Sequence, residues 1–341
     1  MQTIDYIIQT LETLVNIPSP SGYTGEVMEF VKKEAEGFGC MAEYSQKGGL
    51  ILSVSGKDSE TVGLSAHVDT LGAMVRSIDP EGYLRFTLVG GFTMHSVEGA
   101  YCKIHTREGR TYSGTILIKS SSVHSYDDAR TMERTDRNMQ IRIDELVKSR
   151  EDVLALGIEH GDYISFDPKF QVTDSGFIKS RHLDDKASVA VILGVLKEMS
   201  EGSILPEHNI KILISNYEEV GFGASWVPQD IRELLAIDMG VIGDDLNGSE
   251  YKVSICAKDS RGPYDYEMTN RLIELAKKNA VDYVVDIFPH YGSDVSAALS
   301  GGNDIRGALI GQGVHASHGM ERTHIRGIEN TLKLLKLYLG V

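Results

Sequence analysis

The feature that most constrains the fold is a block of β-type sequence, from about residue 72 to residue 172, inside a chain that otherwise alternates strands with helices. Segments of the block such as "AMVRSIDPEGYLRFTLVGG" and "AYCKIHTREGRTYSGTILIKS" predict strands joined by turns at Pro80-Glu81-Gly82 and Glu108-Gly109. Outside the block, helical patterns such as "KASVAVILGVLKEMS" alternate with apolar segments such as "NIKILISNY". This alternation predicts an α/β fold with a mostly parallel central sheet and helices on both faces.

The position of the block predicts two domains, which a length of 341 residues also favours. Residues 1–71 and 173–341 are expected to form a discontinuous α/β domain, and residues 72–172 an inserted, β-rich, barrel-like domain. Within these domains, "SREDVLALG" predicts a short helix with Ser149 as its N-cap. The segment "DIRELL" is interpreted as a helical turn that precedes the strand "LAIDMG".

Composition and charge exclude several classes of function. A formal net charge of −15 argues against nucleic acid and anionic membranes as partners, because phosphate groups would be repelled. The longest apolar run, Ala187 to Leu196, is too short to span a bilayer. The opening segment "MQTIDYIIQTLETLVNI" is expected to be an amphipathic helix and not a signal peptide. The three cysteines are scattered and form no CxxC pair, so a reducing cytoplasm is the expected location.

Imidazole and carboxylate side chains recur where core strands are predicted to end and core helices to begin. In parallel α/β sheets, functional groups gather at such places. With no thiolate among them, these ligand types suit zinc, cobalt or manganese. The candidates are His67 and Asp69 in "LSAHVDT", Asp184 and Asp185 in "RHLDDKAS", Glu218 and Glu219 in "NYEEVG", Asp238 in "AIDMG", and His315, His318 and His324 in "GVHASHGMERTH".

Each of these motifs also has an ordinary structural interpretation. A His-x-Asp at a strand end is usually a hydrogen-bonded turn, adjacent glutamates are usually solvated, and Asp-Asp before a helix usually caps it. The motifs are embedded in apolar sequence, however, where unpaired carboxylates are costly. A bound cation would relieve that cost, which favours a metal site.

The spacing within the motifs suggests a separate chemical role for each residue. His67 and Asp69 are two residues apart on a strand and face the same side, so Asp69 can accept the second ring N–H of His67. Asp184 can bridge two metal ions, which in two-metal sites lie about 3.5–4 Å apart. Glu218 and Glu219 cannot both bind one ion from a regular strand, but a bend would let one bind metal while the other acts as general base.

The motifs "AHVDT", "RHLDDKAS", "NYEEVG", "AIDMG" and "ASHGMERTH" resemble, in order and spacing, the five metal-site motifs of a family of two-metal aminopeptidases. These are the glutamyl-aminopeptidase-like enzymes that assemble into tetrahedral (TET) particles, some of which carry an endoglucanase label. The similarity covers nearly the whole chain, including the inserted block. It implies a phosphorylase/hydrolase-like α/β fold of the two-metal exopeptidase type.

The resemblance assigns roles to individual residues. It implies two divalent cations per subunit, zinc first, with cobalt or manganese as alternatives. The implied ligands are His67 and Asp238 for one metal, Glu219 and His318 for the other, and Asp184 as the bridge. Glu218 would be the general base and Asp69 the residue that orients His67. Asp185 is expected to hold the loop, Lys186 to pair with a carboxylate, His182 to be structural, and Asp294 either to lie near the site or to cap a turn.

The implied activity is removal of N-terminal residues from short peptides by a two-metal-activated water, with Glu218 as base. The implied assembly is a homo-oligomer, a dodecamer built from dimers, in which the inserted domain provides the contacts. One departure from the family pattern is "SHGMERTH" in place of a His-Ser-x-x-Glu arrangement, which leaves His315 and His324 as alternatives to His318. The residue preference at the P1 position stays open.

Other functions are compatible with parts of the pattern. A metal-dependent deacylase or carboxypeptidase could use the same ligands. An endoglucanase needs two carboxyls on either side of the bond, about 5–9.5 Å apart, and the carboxylates here are better explained as ligands. A non-catalytic metal-binding scaffold would leave Glu218 without a role. There is no GxSxG motif for a serine hydrolase, and "GFGASW" has Trp226 where a nucleotide-binding loop needs its third glycine.

Overall fold

The computed structural model describes residues 2–341, which divide into two compact units. The α/β unit comprises the chain up to Asp69 together with Lys169–Val341, and the barrel unit is Thr70–Pro168. The predicted boundaries, 72 and 172, lie a few residues later in the chain. The second boundary differs because Gln171–Val172 pairs with Phe177–Ser180, a strand of the α/β unit.

Most of the helices in the described chain have amphipathic sequences. In α1, for example, Ile7, Leu11 and Leu14 are buried along one face. Ser149 caps α3 by accepting a hydrogen bond from the Asp152 N–H, which confirms the predicted cap. No helix within residues 2–341 is long and apolar enough to cross a membrane. The helices are α1 Thr3–Asn16, α2 Gly25–Gly37, α3 Arg150–Ala155, α4 Leu183–Gly202, α5 Tyr266–Lys278, α6 Asp294–Ser300 and α7 Ile325–Leu339.

The strands follow the apolar and β-branched segments of the sequence. Short 3₁₀ turns occur at Met94–Ser96 and Glu218–Val220. The strands are β1 Met41–Tyr44, β2 Leu50–Val54, β3 Thr61–His67, β4 Gly72–Ile78, β5 Leu84–Val89, β6 Tyr101–His105, β7 Thr111–Ile118, β8 Met139–Ile143, β9 Tyr163–Phe166, β10 Gln171–Val172, β11 Phe177–Ser180, β12 Asn209–Ser215, β13 Glu233–Ile237, β14 Gly240–Val241, β15 Val253–Lys258, β16 Tyr283–Ile287, β17 Arg306–Val314 and β18 Glu321–His324.

A nine-stranded sheet forms the centre of the α/β unit, in the order β1-β2-β12-β3-β13-β17-β15-β16, with β14 beside β17. The central neighbours β12–β3, β3–β13 and β13–β17 are parallel, whereas β1–β2, β2–β12 and β15–β17 are antiparallel. A small sheet of β10, β11 and β18 completes the unit. The predicted α/β fold with a mostly parallel central sheet is confirmed.

Alternating residues of the central strands serve two separate cores. On β13, Leu235 and Ile237 join the core that includes residues of α1, α4 and α7. Leu234 and Ala236 join the other core, which includes residues of α6. Because successive side chains of a strand point to opposite faces, helices cover both faces of this sheet, as predicted.

The barrel unit is a closed antiparallel barrel in the order β4-β5-β8-β7-β6-β9. It has its own apolar core, in which Phe86, Ile104 and Ile141 are almost completely buried. Its two predicted turns contain Gly82 and Gly109, both with positive φ, a conformation that glycine adopts without strain. Closure pairs every strand of the barrel and leaves no open sheet edge.

Two local predictions need correction. The segment "DIRELL" is not a helical turn: Glu233 begins β13 and pairs with Arg306 of β17 and Val62 of β3. The segment is short and mixes charged with apolar residues, so its pattern does not separate strand from helix. Strand β17 was not identified from the sequence because glycines interrupt it. At Gly311 a Cβ atom would lie 1.2 Å from the Asp238 carbonyl oxygen, so only glycine fits there.

Lys186 is completely buried, and its partners also differ from the prediction. Instead of pairing with a carboxylate, its Nζ donates to the carbonyl oxygens of Leu14 at 2.7 Å and Ile17 at 2.9 Å. These two bonds connect the start of α4 to the end of α1, where the Leu14 carbonyl also accepts from the Ile17 N–H at 3.2 Å.

We therefore expect Lys186→Met to lower the free energy of unfolding by about 1–3 kcal/mol, because it removes two hydrogen bonds from a charged donor to backbone carbonyls. Urea denaturation measures the change. Lys278→Met, the same substitution at an exposed position of α5, is the control and should change stability by less than about 0.5 kcal/mol. Equal stability of the two variants would contradict this account of Lys186.

Candidate metal centre

The predicted ligands come together where central strands of the α/β unit end. His67 is the last residue of β3, and Asp238 follows β13 directly. The turn Glu218–Val220 follows β12, whose last residue pairs with His67. Carboxyl ends of adjacent parallel strands meet at one edge of a sheet, which explains why residues so far apart in sequence converge.

Two groups of potential metal ligands share one carboxylate. In the first, ligand atoms of His67, Asp184 and Asp238 all lie within 4.8 Å of one another. In the second, the same holds for Asp184, Glu219 and His318. Asp184 Oδ1 lies 3.2 Å from His67 Nε2, whereas Asp184 Oδ2 lies 3.5 Å from His318 Nε2. Each oxygen of Asp184 therefore faces a different group.

Asp69 orients His67 in a way that differs from the prediction. The ring Nδ1 of His67 lies 2.9 Å from the main-chain carbonyl oxygen of Asp69 and 3.6 Å from the Asp69 carboxylate. Since a carbonyl oxygen only accepts, Nδ1 carries the proton and Nε2 presents its lone pair to the group with Asp184. The buried Asp69 carboxylate instead accepts hydrogen bonds from the Ser21 hydroxyl and from the N–H groups of Glu218 and Glu219.

The 3₁₀ turn at Glu218–Val220 separates the two adjacent glutamates. Glu219 Oε2 lies 3.4 Å from His318 Nε2 in the second group. Glu218 Oε2 lies 3.7 Å from His67 Nε2 but belongs to neither group. The bend that the sequence required after β12 is therefore present, and it directs the two carboxylates to different sides of the cluster.

Of the three histidines in "GVHASHGMERTH", His318 is the one at the cluster. His324 is the N-cap of α7: its Nδ1 accepts from the Arg326 N–H, and its Nε2 lies 2.9 Å from the Ser175 carbonyl oxygen. The side chain of His315 is exposed, and its main chain forms a β-bridge with Arg322. Geometry thus favours His318 over both alternatives as a ligand.

Supporting residues surround these groups. Glu321, which the sequence interpretation missed, is buried and accepts hydrogen bonds from the main-chain N–H groups of Asp184 and His318, both at 3.1 Å. The spacing His318-x-x-Glu321 was the available signal. Asp185 Oδ2 accepts from the His67 N–H at 3.2 Å, in agreement with a role in holding the loop. Asp294 is buried and accepts from the Ser215 hydroxyl and the Ala224 N–H.

The cluster concentrates negative charge in a buried place. Burial raises the pKa of Glu219 to about 8 and that of Asp238 to about 7, and it raises the pKa of Glu321 to about 8. Although burial also opposes ionisation of Asp184, the imidazoles of His318 and His67 beside its two oxygens hold its pKa below the usual range. A divalent cation would neutralise this excess, and imidazole and carboxylate donors without thiolate fit such an ion.

A cavity of about 440 Å³ opens onto the cluster. The side chains of Asp184, Glu218, Glu219 and Asp238 line it together with those of Arg261 and Tyr291. This volume is in the range of small-ligand sites. A molecule bound in the cavity would contact both the candidate metal ligands and Glu218.

Comparison with known proteins identifies the family. The model of the M42 glutamyl aminopeptidase family matches residues 48–334. The chain belongs to this family. An aminopeptidase-named protein of Bacillus subtilis (strain 168), YhfE, is 48% identical over 341 residues, which cover 99% of both chains. The lysyl aminopeptidase of Pyrococcus furiosus is 23% identical and covers 97% of this chain and 96% of its own.

Solved structures share the fold. An aminopeptidase of Desulfurococcus kamchatkensis superposes with a TM-score of 0.88 at 21% identity, covering 98% of this chain and 95% of its own. The TET1 peptidase of Pyrococcus horikoshii gives a TM-score of 0.85 at 23% identity, covering 98% of this chain and 99% of its own. The resemblance inferred from the five motifs is confirmed. The M42 protein is an aminopeptidase, and the deacylase, carboxypeptidase and endoglucanase alternatives are not favoured.

We expect the metal-free protein to lose stability as the pH rises from about 4 to 8. Carboxyls with raised pKa values bind more protons in the folded state than in the unfolded state, so their contribution is complete below about pH 4 and is lost as pH rises through about 7 and 8. Melting temperatures in chelator across this range measure the loss.

The gain in melting temperature on adding zinc should grow over the same range, since the cation replaces the lost protons. Asp238→Asn, which keeps the shape of the side chain and removes its charge, should flatten the pH dependence in chelator. A metal-free melting temperature that rises with pH would contradict the expected burial of excess carboxylate.

Proposed function

We propose that the protein removes N-terminal residues from short peptides with two divalent cations, and that the cations share Asp184. The observation that carries this proposal is the orientation of the Asp184 carboxylate, whose two oxygens face separate ligand groups 3.2 and 3.5 Å from two imidazoles. The proposed ligands are His67 and Asp238 for one cation, Glu219 and His318 for the other, and Asp184 for both.

Zinc is the first expectation for both positions, and cobalt or manganese accepts the same donors. Bound there, the cations would supply Lewis acidity toward the scissile carbonyl and lower the pKa of a water molecule. The donor set supports this choice because it offers imidazole nitrogens and carboxylate oxygens and because the three cysteines of the chain are buried elsewhere.

Glu218 is the proposed general base. It lines the cavity, lies beside His67 and is not needed in either ligand group. Burial raises its pKa well above the ordinary value of a glutamate, which suits a group that must take up a proton. Glu218 would accept the proton of the attacking water and return it to the leaving amine, while Asp69 holds both the His67 ring and the turn on which Glu218 lies.

The charge of the cavity supports a substrate with a free N-terminus. Carboxylates of Glu218, Glu219 and Asp238 line it, and a peptide ammonium group can donate hydrogen bonds to oxygens of this kind. A peptide with an acylated N-terminus lacks that charge, so recognition of the free amine would separate aminopeptidase from deacylase activity.

For assembly we propose a homo-oligomer, a dodecamer built from dimers, with the barrel unit as the oligomerisation domain. The support is that the structurally similar Pyrococcus horikoshii TET1 peptidase can assemble into a tetrahedron or a large octahedral shell. Analytical ultracentrifugation is expected to give the mass of twelve chains, whereas the mass of a single chain would contradict the proposal.

A panel of amino-acid amides and short peptides, each with a free and an N-acetylated terminus, tests the activity. Hydrolysis should require a free amine, stop in chelator and return with zinc, cobalt or manganese. The rates across the panel also give the P1 preference. Cleavage of the acetylated compounds alone would replace the aminopeptidase proposal with a deacylase.

Glu218→Gln tests the base. We expect kcat to fall by about 10²–10⁴-fold, because the amide cannot accept the proton. Bound metal should remain at the wild-type level, since Glu218 is outside both ligand groups. If Glu218→Gln kept most of the turnover while both metals stayed bound, the assignment of Glu218 as the base would be contradicted.

A further inference from the structure

Lys47, in the turn between β1 and β2, has no part in the proposed chemistry, yet it binds the loop that follows Glu218 and Glu219. Its Nζ donates to the carbonyl oxygens of Phe222 at 2.6 Å and Gly223 at 2.7 Å and to the Ser225 hydroxyl at 2.8 Å. An ammonium group has three hydrogens to donate. All three are used on this one loop, although Lys47 is only half-buried.

The β1–β2 turn also contacts the other end of the same loop. The Asn216 side-chain amide donates to the Lys47 carbonyl oxygen at 2.8 Å. Asn216 precedes Glu218 by two residues, and Phe222 follows it by four. The β1–β2 turn therefore contacts residues 216–225, here called the base loop, on both sides of the proposed base.

A short chain of hydrogen bonds connects Lys47 to the turn that carries Glu218. Phe222 accepts from Lys47 through its carbonyl oxygen and donates its N–H to the Tyr217 carbonyl at 2.9 Å. The N–H of Gly221 donates to the Glu218 carbonyl at 2.7 Å. A shift of Phe222 would therefore be transmitted through one residue to the backbone of Glu218.

The other anchors of the base loop act on its N–H groups. The Asp69 carboxylate accepts from Glu218 and Glu219, and the Asp294 carboxylate accepts from Ala224. Lys47 binds carbonyl oxygens of the same loop, which the two carboxylates cannot bind because a carboxylate and a carbonyl both only accept. Carboxylates and a cation thus fix complementary polar groups of one loop.

We propose that Lys47 is a positioning residue, which fixes the base loop so that Glu218 keeps its place at the cavity. This inference rests on the proposed role of Glu218 as general base. Loss of Lys47 leaves the Gly223 carbonyl to water, and it leaves the Phe222 carbonyl and the Ser225 hydroxyl bonded only within the loop itself. The loop can then relax away from its position. A misplacement of about 1 Å can cost about 10²-fold in rate.

The test compares zinc-loaded wild type with Lys47→Met, which keeps the length of the side chain and removes its donors. We expect kcat to fall at least tenfold, with KM within about threefold and bound zinc unchanged, because the ligands keep their anchors at Asp69 and Glu321. Lys47→Arg, which keeps the charge and several donors, should recover part of the loss.

Lys211→Met is the matched control. Lys211 is also a half-buried lysine of the central sheet, on β12, and its Nζ lies 2.8 Å from Asp230, away from the base loop. It should keep the wild-type kcat, which separates a positional effect from the general cost of removing a lysine from this sheet.

Trp226 gives a second measurement that does not depend on activity. It is the one tryptophan of the sequence and follows Ser225 directly. Acrylamide quenching of its fluorescence in the metal-free protein should increase in Lys47→Met, because the base loop is less fixed, and should not change in Lys211→Met.

With an active wild type, a kcat of Lys47→Met within twofold of wild type would overturn the inference. So would an equal loss in Lys211→Met, or a loss of bound zinc that matches the loss of activity. An inactive zinc-loaded wild type would instead overturn the proposed function. If Lys47→Met does not fold, Ser225→Ala removes one acceptor of Lys47 together with the bond from the Ser225 hydroxyl to the Phe222 carbonyl, and no charge. It should lower kcat severalfold, and an unchanged kcat would overturn the inference.

Discussion

The shared carboxylate of Asp184 is the interaction on which the rest of the centre depends. Its two oxygens face two ligand groups, so every other proposed ligand must approach from one of two sides. An unpaired carboxylate that is 95% buried would be costly, and the nearby imidazoles and a cation bound there would offset the cost. The position of Asp184 thereby determines where His67 and His318 have to be.

The fold fixes that position mainly through main-chain groups. Glu321 accepts from the N–H groups of Asp184 and His318, and Asp185 accepts from the N–H of His67. Asp69 holds the turn of Glu218 through the same kind of bond. Carboxylates just outside the ligand groups therefore set the backbone from which the ligands project, which is how the outer shell of a metal site commonly acts.

The convergence of the proposed ligands could be predicted from the sequence because charged residues in apolar segments need a partner, and because their motifs occur at strand ends. Lys47 could not, since its partners lie far along the chain and two of them are backbone carbonyls. Glu321 was missed because its partners are backbone N–H groups, and the spacing His318-x-x-Glu321 was its only signal. The mostly parallel sheet and the inserted barrel followed from the alternation of elements. Only the start of β13 was missed, because charged residues precede its apolar run, and glycines that allow close backbone approach hid β17.

Anomalous diffraction from crystals of the zinc-loaded protein tests the central claim most directly. We expect two zinc peaks about 3.5–4 Å apart, with one oxygen of Asp184 bound to each. His67 and Asp238 should bind one peak, and Glu219 and His318 the other. A single peak, or two peaks that do not share Asp184, would contradict the account.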